Sequence, residues 1–160
     1  KAIKDALKVM MSGTEDEMID FIDQFRKKFR SLPPEEISFP RTVSDVVKYK
    51  GRNAIYEKGT PIHARGSLLF NHHVKRLGLE GKYSLIGNGE KVKFCYLRSP
   101  NPIHENVMSF IQDFPREIGI EKYIDYDLQF EKSFLDPLKI ILDVIQWNVE
   151  KTASLESFFS

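Results

Sequence analysis

The residue types that most often perform catalysis are few in this chain, and their spacing assembles no catalytic site. The 160 residues include one cysteine, Cys95, and four histidines, of which His72 and His73 are adjacent. Adjacent helical residues point about 100° apart, so these two side chains cannot bind one metal ion as an i, i+4 pair would. His63 and His104 have no carboxylate or cysteine at ligand spacing. We therefore expect ordinary surface or core histidines and no metal site.

Motifs for nucleotide binding or nucleophilic attack are also missing from the sequence. It has no Walker loop, no dinucleotide glycine fingerprint and no nucleophile elbow. Cys95 alternates with core residues of a predicted strand, which favours a small buried side chain over a nucleophile. A single cysteine excludes an internal disulfide and a cysteine zinc cluster, and it fits a reducing compartment. The composition does not indicate a self-sufficient enzyme.

Charge is segregated along the chain although the total is only +1. Residues 1–40 carry 7 basic and 8 acidic groups, residues 41–98 carry 12 and 4, and residues 99–160 carry 5 and 11. The middle segment, at +8, is a candidate contact surface for a polyanion. The alternative is that its cations pair with the acidic last third. Many of them lie close to glycines in a segment of poor periodicity, from Glu35 to Gly66, and long irregular stretches in a domain are usually functional.

The first part of the chain is predicted to be helical. Apolar residues keep helical spacing from Ala2 to Met10, and Ser12-Gly13 ends that run. Thr14 is a candidate N-cap for a second helix, which Pro33-Pro34 stops. That helix has an apolar stripe at i, i+4, i+7 and i+11 that we expect in the core, formed by Met18, Ile22, Phe25 and Phe29.

Later elements are predicted as a mixture of helices and a small sheet. We expect a short helix over Thr42–Tyr49 and a longer one from Ser67 to about Leu77. Alternation predicts a half-buried strand at Lys91–Leu97. Asn106–Ile111 is a second candidate strand, and the two could pair across the turn region 100–102. Two helices should follow, Glu121–Phe134 and one for which Asp136 is the expected N-cap and Pro137 the first helical residue. The predicted class is α+β, predominantly helical with a small antiparallel sheet. The sequence has no membrane-spanning run and no signal peptide.

The last residues form a compact apolar pattern. Leu155, Phe158 and Phe159 would lie on one side of a single helical turn, as anchors that fit a hydrophobic groove of a partner. The alternative is that these side chains fold back onto the core of the chain itself.

Several segments together resemble the C-terminal part of the family B DNA polymerases of T-even-like bacteriophages. A Gly-Glu-Lys-Val strand start precedes a helix of the form Tyr-x-x-x-Phe-x-x-x-Phe-x-x-Pro-Leu, and the order and spacing of all segments match over essentially the whole chain. The matching segments are residues 1–7, Ile62-His63-Ala64-Arg65-Gly66 with Phe70-Asn71, Gly89-Glu90-Lys91-Val92, Ile124-Asp125-Tyr126, residues 134–138 and residues 151–155.

The resemblance implies a thumb domain over residues 1–148, which grips primer–template duplex DNA, and a sliding-clamp-binding peptide over residues 149–160. Thr152 stands where the general clamp-binding pattern begins with glutamine. The palm of the polymerase family, which holds the catalytic Mg²⁺, would lie outside this chain, as would the fingers and the exonuclease. No cofactor and no catalytic residue is therefore expected here. The chain would be a cloned fragment or the product of a split polymerase gene. Its expected location is the cytoplasm of an infected bacterial host, and it would not be secreted.

Duplex DNA held without regard to sequence is gripped through its phosphates by lysines, arginines and backbone amides. Glycines would let the backbone approach the strands. Arg65, Gly66 and Asn71 fall in the best-matching motif. The full set of expected DNA contacts is Lys48, Lys50, Arg52, Lys58, Arg65, Gly66, Asn71, Lys75, Lys91 and Lys93, and the expected clamp anchors are Leu155, Phe158 and Phe159.

Two other function classes stay open at this stage. A free-standing DNA-binding accessory protein, not specific for sequence, would use the same basic segment without a polymerase body. A small independent nuclease would need metal-dependent cleavage by the isolated chain.

Overall fold

The computed structural model describes residues 2–52 and 54–149. Helices and a three-stranded antiparallel sheet occur together, which confirms the α+β class. No helix in this described part is long and apolar enough to cross a membrane. In chain order the elements are α1 (Ala2–Ser12), α2 (Glu15–Phe29), α3 (Pro34–Ile37), β1 (Phe39–Thr42), α4 (Ile62–Arg76), β2 (Lys91–Tyr96), β3 (Val107–Phe110), α5 (Tyr126–Phe130) and α6 (Asp136–Val144).

The chain divides into two compact units. Unit 1 comprises the described residues of Lys1–Ser31 and Asp127–Ser160, and unit 2 comprises those of Leu32–Tyr126. The sheet and α4 belong to unit 2, together with every residue expected to contact DNA. The division into residues 1–148 and a tail over 149–160 stays a prediction, because the tail beyond residue 149 lies outside the described residues.

Unit 1 is built around the predicted stripe of α2. Thr14 caps this helix as expected, and its Oγ1 accepts a hydrogen bond from the Glu17 N–H at 3.2 Å. Met18, Ile22 and Phe29 are buried. Phe25 is half-buried, and its ring lies edge-on to that of Phe134 with 4.7 Å between centroids. The stripe is therefore core, as its spacing predicts.

The helix expected over Glu121–Phe134 begins later in the structure. Glu121–Tyr123 forms only a 3₁₀ turn, and Ile124 is extended because it forms a β-bridge with Leu97. The helix starts at Tyr126. Local periodicity cannot reveal this break, since its cause is a pairing with a residue 27 positions earlier in the sequence.

Asp136 is not an N-cap, contrary to the prediction. It has helical dihedral angles, and helical turns continue through it from Tyr126 to Val144. Its N–H donates to the Glu131 carbonyl five residues earlier, which makes Glu131–Leu135 a π-helical turn. Pro137 has no N–H to give to an ordinary α-helical ladder, and a wider turn before it accommodates that loss without ending the helix.

The sheet of unit 2 has the order β1-β2-β3, antiparallel throughout. The predicted pairing of the two later strands is confirmed, with Cys95 opposite Met108. Asn101 forms the turn region between them, because its amide donates to the Arg98 and Glu105 carbonyls at 2.8 and 2.6 Å. The strand β1, which the sequence did not predict, pairs Phe39 with Phe94 at the other edge.

Two predictions for the segment before α4 are wrong. Thr42–Tyr49 is not a helix, since Thr42 belongs to β1 and only Val47–Tyr49 forms a 3₁₀ turn. The helix expected from Ser67 begins at Ile62, with Pro61 as its N-cap residue. Gly66 therefore lies inside a helix, not in an irregular loop.

Gly66 permits α4 to pack closely on β3. A Cβ at this buried position would lie 2.3 Å from Ser109 Oγ and 2.9 Å from Ser109 N. Ser109 Oγ also donates to the His63 carbonyl of α4 at 3.0 Å. The close contact explains the glycine, and it fixes α4 against the sheet.

Candidate nucleic-acid interface

One groove of about 580 Å³ in unit 2 brings together four of the residues expected to contact DNA. Lys50, Arg52, Asn71 and Lys75 line it, and we name it the cationic groove. Its apolar lining consists of Val46, Val47, Ile55, Leu68, Leu85 and Ile86 with Ala54. The groove thus combines positive charge with a floor of aliphatic side chains.

A short closed loop presents Lys50 and Arg52. Lys50 forms an antiparallel bridge with Tyr56, and the Glu57 N–H donates to the Tyr49 carbonyl at 2.8 Å. Gly51 is required by the tightness of this loop, because a Cβ there would lie 2.5 Å from the Ala54 carbonyl oxygen. The loop holds its two cations at one wall of the groove.

One face of α4 supplies the opposite part of the groove. Leu68, Asn71, His72 and Lys75 follow the i, i+3, i+4, i+7 spacing of a single helical face. The Asn71 amide fixes the next wall to this helix, since it donates to the Ile86 carbonyl at 2.9 Å and accepts from the Ile86 N–H at 2.7 Å. The side chain of Asn71 is therefore occupied with the protein backbone, and its contact with DNA stays a prediction.

A third segment is held by Asn88. Its Oδ1 accepts hydrogen bonds from the Val46 N–H at 2.5 Å and, more weakly, from the Val47 N–H at 3.4 Å. Val43 also exchanges backbone hydrogen bonds with Gly89 and Glu90. These bonds fasten the 43–47 segment to the 85–90 segment, so the floor of the groove has a defined shape.

The charge of the groove is uncompensated within the described residues. No carboxylate lines it, and neither Lys50, Arg52 nor Lys75 forms an ion pair there. All three side chains belong to exposed residues. Phosphate groups are the complementary ligand for such a cluster, because they replace the missing counter-charge.

His72 lies at the edge of the groove and is held by its neighbour. The buried His73 ring stands nearly perpendicular to it, with 4.9 Å between centroids, and His73 Nδ1 accepts from Arg76 Nε at 3.1 Å. Burial, followed by the charges of His72 and Arg76, lowers the pKa of His73 to about 4. His73 is therefore neutral at physiological pH, and its ring packs edge-on against that of His72.

Arg65 is not in the groove. Its guanidinium lies 3.8 Å from Glu105 Oε2 and over the Tyr56 ring at 5.6 Å, and the Tyr56 hydroxyl donates to Glu105 at 2.9 Å. This cluster ties the 50–56 loop to the turn before β3. The cation of Arg65 is thus partly matched by an acidic residue of the last third, which is the pairing that the sequence left open.

The remaining expected contacts lie elsewhere in unit 2. Lys93 is turned to the side of α3, where its ammonium donates to the Glu35 carbonyl at 2.9 Å, and Lys91 is two residues away on the same side of β2. Lys48 and Lys58 are exposed outside the groove lining. Gly66 is buried against Ser109, so packing explains this glycine, and its expected approach to DNA stays a prediction.

Cys95 is fully buried, as its alternation with core residues predicts. Burial raises the pKa of its thiol to about 12, so it is no nucleophile. Burial, followed by the charge of Arg41, lowers the pKa of His63. Among the described residues, no group of three or more His, Cys, Asp or Glu side chains could hold a metal ion. The clamp anchors Leu155, Phe158 and Phe159 lie outside the described residues.

The sequence interpretation missed His72 and the apolar floor. The helical spacing of Leu68, Asn71, His72 and Lys75 was a usable signal for that face of α4. Val47, Ile55 and Leu85 had no such signal, since three different segments bring them together.

Two phage proteins are similar in sequence to this chain. No protein-family profile matches the chain. It is 27% identical over 163 residues to the DNA-directed DNA polymerase of Enterobacteria phage T4, and 27% identical over 164 residues to that of Escherichia phage RB69. Both relatives are phage DNA polymerases. Each match covers 99% of this chain, which spans only 18% of the length of either relative.

The similarity supports the resemblance at the level of a part of a phage DNA polymerase. The assignment to the thumb and to a clamp-binding tail stays a prediction.

Proposed function

We propose that this chain is a DNA-gripping part of a phage DNA polymerase, the thumb domain, and that its last residues tether the enzyme to a sliding clamp. The observation that carries the proposal is the similarity to two phage polymerases along 99% of the chain. The cationic groove supports it physically, because three cations that form no ion pair with the described residues suit a phosphate backbone.

In this proposal the chain performs no chemistry alone. The palm, the fingers and the exonuclease of the polymerase would supply nucleotidyl transfer, Mg²⁺ and proofreading, while this chain holds the primer–template duplex. The activity would be exercised in the cytoplasm of an infected bacterium.

The phosphate grip is tested by the salt dependence of duplex binding. Fluorescence anisotropy with a blunt duplex should give an affinity that falls as KCl rises, and each phosphate contact contributes about 0.9 to the slope of log K against log salt. The triple variant Lys50→Ala, Arg52→Ala, Lys75→Ala should flatten that slope by about 2.7.

The matched control removes three exposed lysines of unit 1, as Lys4→Ala, Lys8→Ala, Lys139→Ala. It changes the net charge by the same amount but leaves the groove intact. If both triple variants lower the slope equally, the effect is one of net charge, and the groove is not the DNA contact.

The tether is tested separately with a purified phage sliding clamp. Phe158→Ala and Phe159→Ala should each weaken clamp binding by about 2 kcal/mol if the rings are anchors, whereas Ser157→Ala should change it little. Unchanged affinity in both phenylalanine variants would favour rings that pack on the chain itself.

A further inference from the structure

The cationic groove has a feature that a phosphate grip does not need. Duplex DNA presents phosphates and sugars to a protein that does not read its sequence, and its bases are stacked inside. The groove also has its floor of aliphatic side chains, in which Leu68 is buried and Ile55 and Leu85 are half-buried. Such a floor gains free energy only from an apolar or aromatic surface that leaves water to cover it.

Two planar groups stand beside that floor. His72 and the Arg52 guanidinium both line the groove, and unpaired bases stack on histidine rings and on guanidinium planes. The ring of His72 is braced edge-to-face by the neutral, buried His73, which is in turn hydrogen-bonded to Arg76. A braced ring loses little freedom when a base stacks on it.

The dimensions and the charge agree with a nucleotide. A volume of about 580 Å³ lies within the range of sites for small organic ligands, roughly 300–1,000 Å³. Lys50, Arg52 and Lys75 carry three positive charges around the floor, and no carboxylate among the described lining residues opposes an anion. The apolar floor and the planar neighbours therefore suit a base, and the surrounding cations suit its phosphate.

We propose that the cationic groove binds unpaired nucleotides of a single DNA strand, with a base on the aliphatic floor beside His72 and the adjoining phosphates on Lys50, Arg52 and Lys75. The inference rests on the proposed function, because the ligand is then an unpaired strand end that adjoins the duplex held by the chain. It adds a preference for single-stranded overhangs that a phosphate grip alone does not give.

The experiment compares three DNA ligands of identical duplex length in anisotropy titrations with the full chain. One is blunt, one has a four-nucleotide overhang, and one has a four-unit abasic overhang with the same phosphates. The natural overhang should bind about tenfold more tightly than the abasic overhang, because stacking of a single base contributes that much. Equal binding of natural and abasic overhangs overturns the inference.

Variants locate the preference in the groove. His72→Ala and Ile55→Ser should each reduce the ratio of natural to abasic affinity towards one, and His72→Phe should restore it because a planar ring is present again. Ile140→Ser, an exposed position in unit 1, is the matched control for a lost aliphatic side chain. A ratio that stays near ten in both His72→Ala and Ile55→Ser overturns the inference.

Two further outcomes separate this inference from the proposed function. Binding of the blunt duplex with a steep salt slope but no preference for bases would retain the duplex grip and overturn the single-strand site. Binding of the natural overhang alone would retain the site and contradict the duplex grip. If free dTTP displaces the overhang when both are present at the same concentration of nucleotide units, the assignment of the groove to a DNA strand is overturned.

Discussion

Replacing Glu35 by glutamine should remove a pH-dependent part of the stability of unit 2. The Glu35 carboxylate accepts hydrogen bonds from both terminal nitrogens of Arg116, at 2.8 and 3.0 Å, and from the Phe114 N–H at 3.0 Å. Its side chain is only 21% exposed. The residue therefore joins α3 to the segment that follows β3.

The size of the effect follows from the proton affinity of this carboxylate. The hydrogen bond from Arg116, aided by that from Phe114, lowers the pKa of Glu35 from 4.5 to about 2 although burial opposes this. A tenfold change in proton affinity corresponds to about 1.4 kcal/mol, so the upper bound is about 3.4 kcal/mol. Arg116 is half exposed, and solvent screening reduces the expected contribution to about 2 kcal/mol.

The sign is that of a carboxylate whose pKa is lower in the folded state. The stabilisation is complete above pH 4.5 and is lost as the pH falls from 4.5 towards 2, because protons then bind preferentially to the unfolded chain. Urea unfolding of the wild-type protein between pH 7 and pH 2.5 should show this loss, and Glu35→Gln should be less stable at pH 7 and less dependent on pH.

Glu117→Gln is the matched control. The pKa of Glu117 is also lowered to about 2, chiefly by a hydrogen bond from Lys82, but that lysine is 63% exposed. An exposed pair contributes about 0–1 kcal/mol. If Glu35→Gln and Glu117→Gln lose equal stability at pH 7, or if Glu35→Gln keeps the wild-type pH dependence, the hydrogen-bond network around Glu35 does not have the assigned role.

Two further substitutions test the packing that positions the cationic groove. Gly66→Ala should lower the free energy of unfolding by about 2 kcal/mol, because overpacking against Ser109 outweighs the gain in helix propensity. Gly81→Ala is the control, since it has open space around it and should be nearly neutral. If urea unfolding finds the two variants equally stable, the close α4–β3 contact is contradicted. Tyr56→Phe should cost about 1 kcal/mol of stability and lower duplex affinity a few-fold, because the lost hydroxyl releases Glu105 and the 50–56 loop. Tyr123→Phe is the control. Equal duplex affinity of the two variants in an anisotropy titration would refute that role of the Tyr56 hydroxyl.

Elements with strong local signals could be predicted from the sequence. Thr14 followed by acidic residues marks the start of α2, and the alternation of Val92, Phe94 and Tyr96 with polar residues marks β2. The strand β1 could not be predicted, because it has four residues, includes Pro40 and is mostly exposed. Proline is tolerated there since β1 is an edge strand, which is a property of the sheet and not of the segment.

The candidate site was harder to predict than the fold because it is assembled from four separate segments. Charge and glycine content directed attention to Lys50, Arg52 and Lys75, which the structure places in one groove, and their contact with DNA stays a prediction. The same reasoning included Arg65 and Gly66, whose environments depend on Glu105 and Ser109. Contacts between residues more than 35 positions apart in the sequence decide which cation forms an ion pair and which glycine is needed for packing. A local sequence pattern cannot indicate such contacts.

Placement of charge, and not its amount, distinguishes the groove. Unit 2 contains 14 basic and 11 acidic residues, so the +8 of residues 41–98 becomes only +3 in the folded unit. The acidic residues lie outside the lining of the groove. One pair of variants separates the two explanations, because Val47→Glu adds a charge at a 70% exposed groove position and Val144→Glu adds the same charge at an 82% exposed position in unit 1.

Val47→Glu should weaken DNA binding about fivefold or more at low salt, since a carboxylate close to Lys50 and Arg52 offsets their attraction for phosphate by about 1 kcal/mol or more. Val144→Glu should leave the affinity nearly unchanged because unit 1 is not proposed to contact the phosphates. Anisotropy titrations in 50 and 150 mM KCl measure both effects. Equal weakening by the two variants would show that net charge governs binding, and the cationic groove would then have no special part in it.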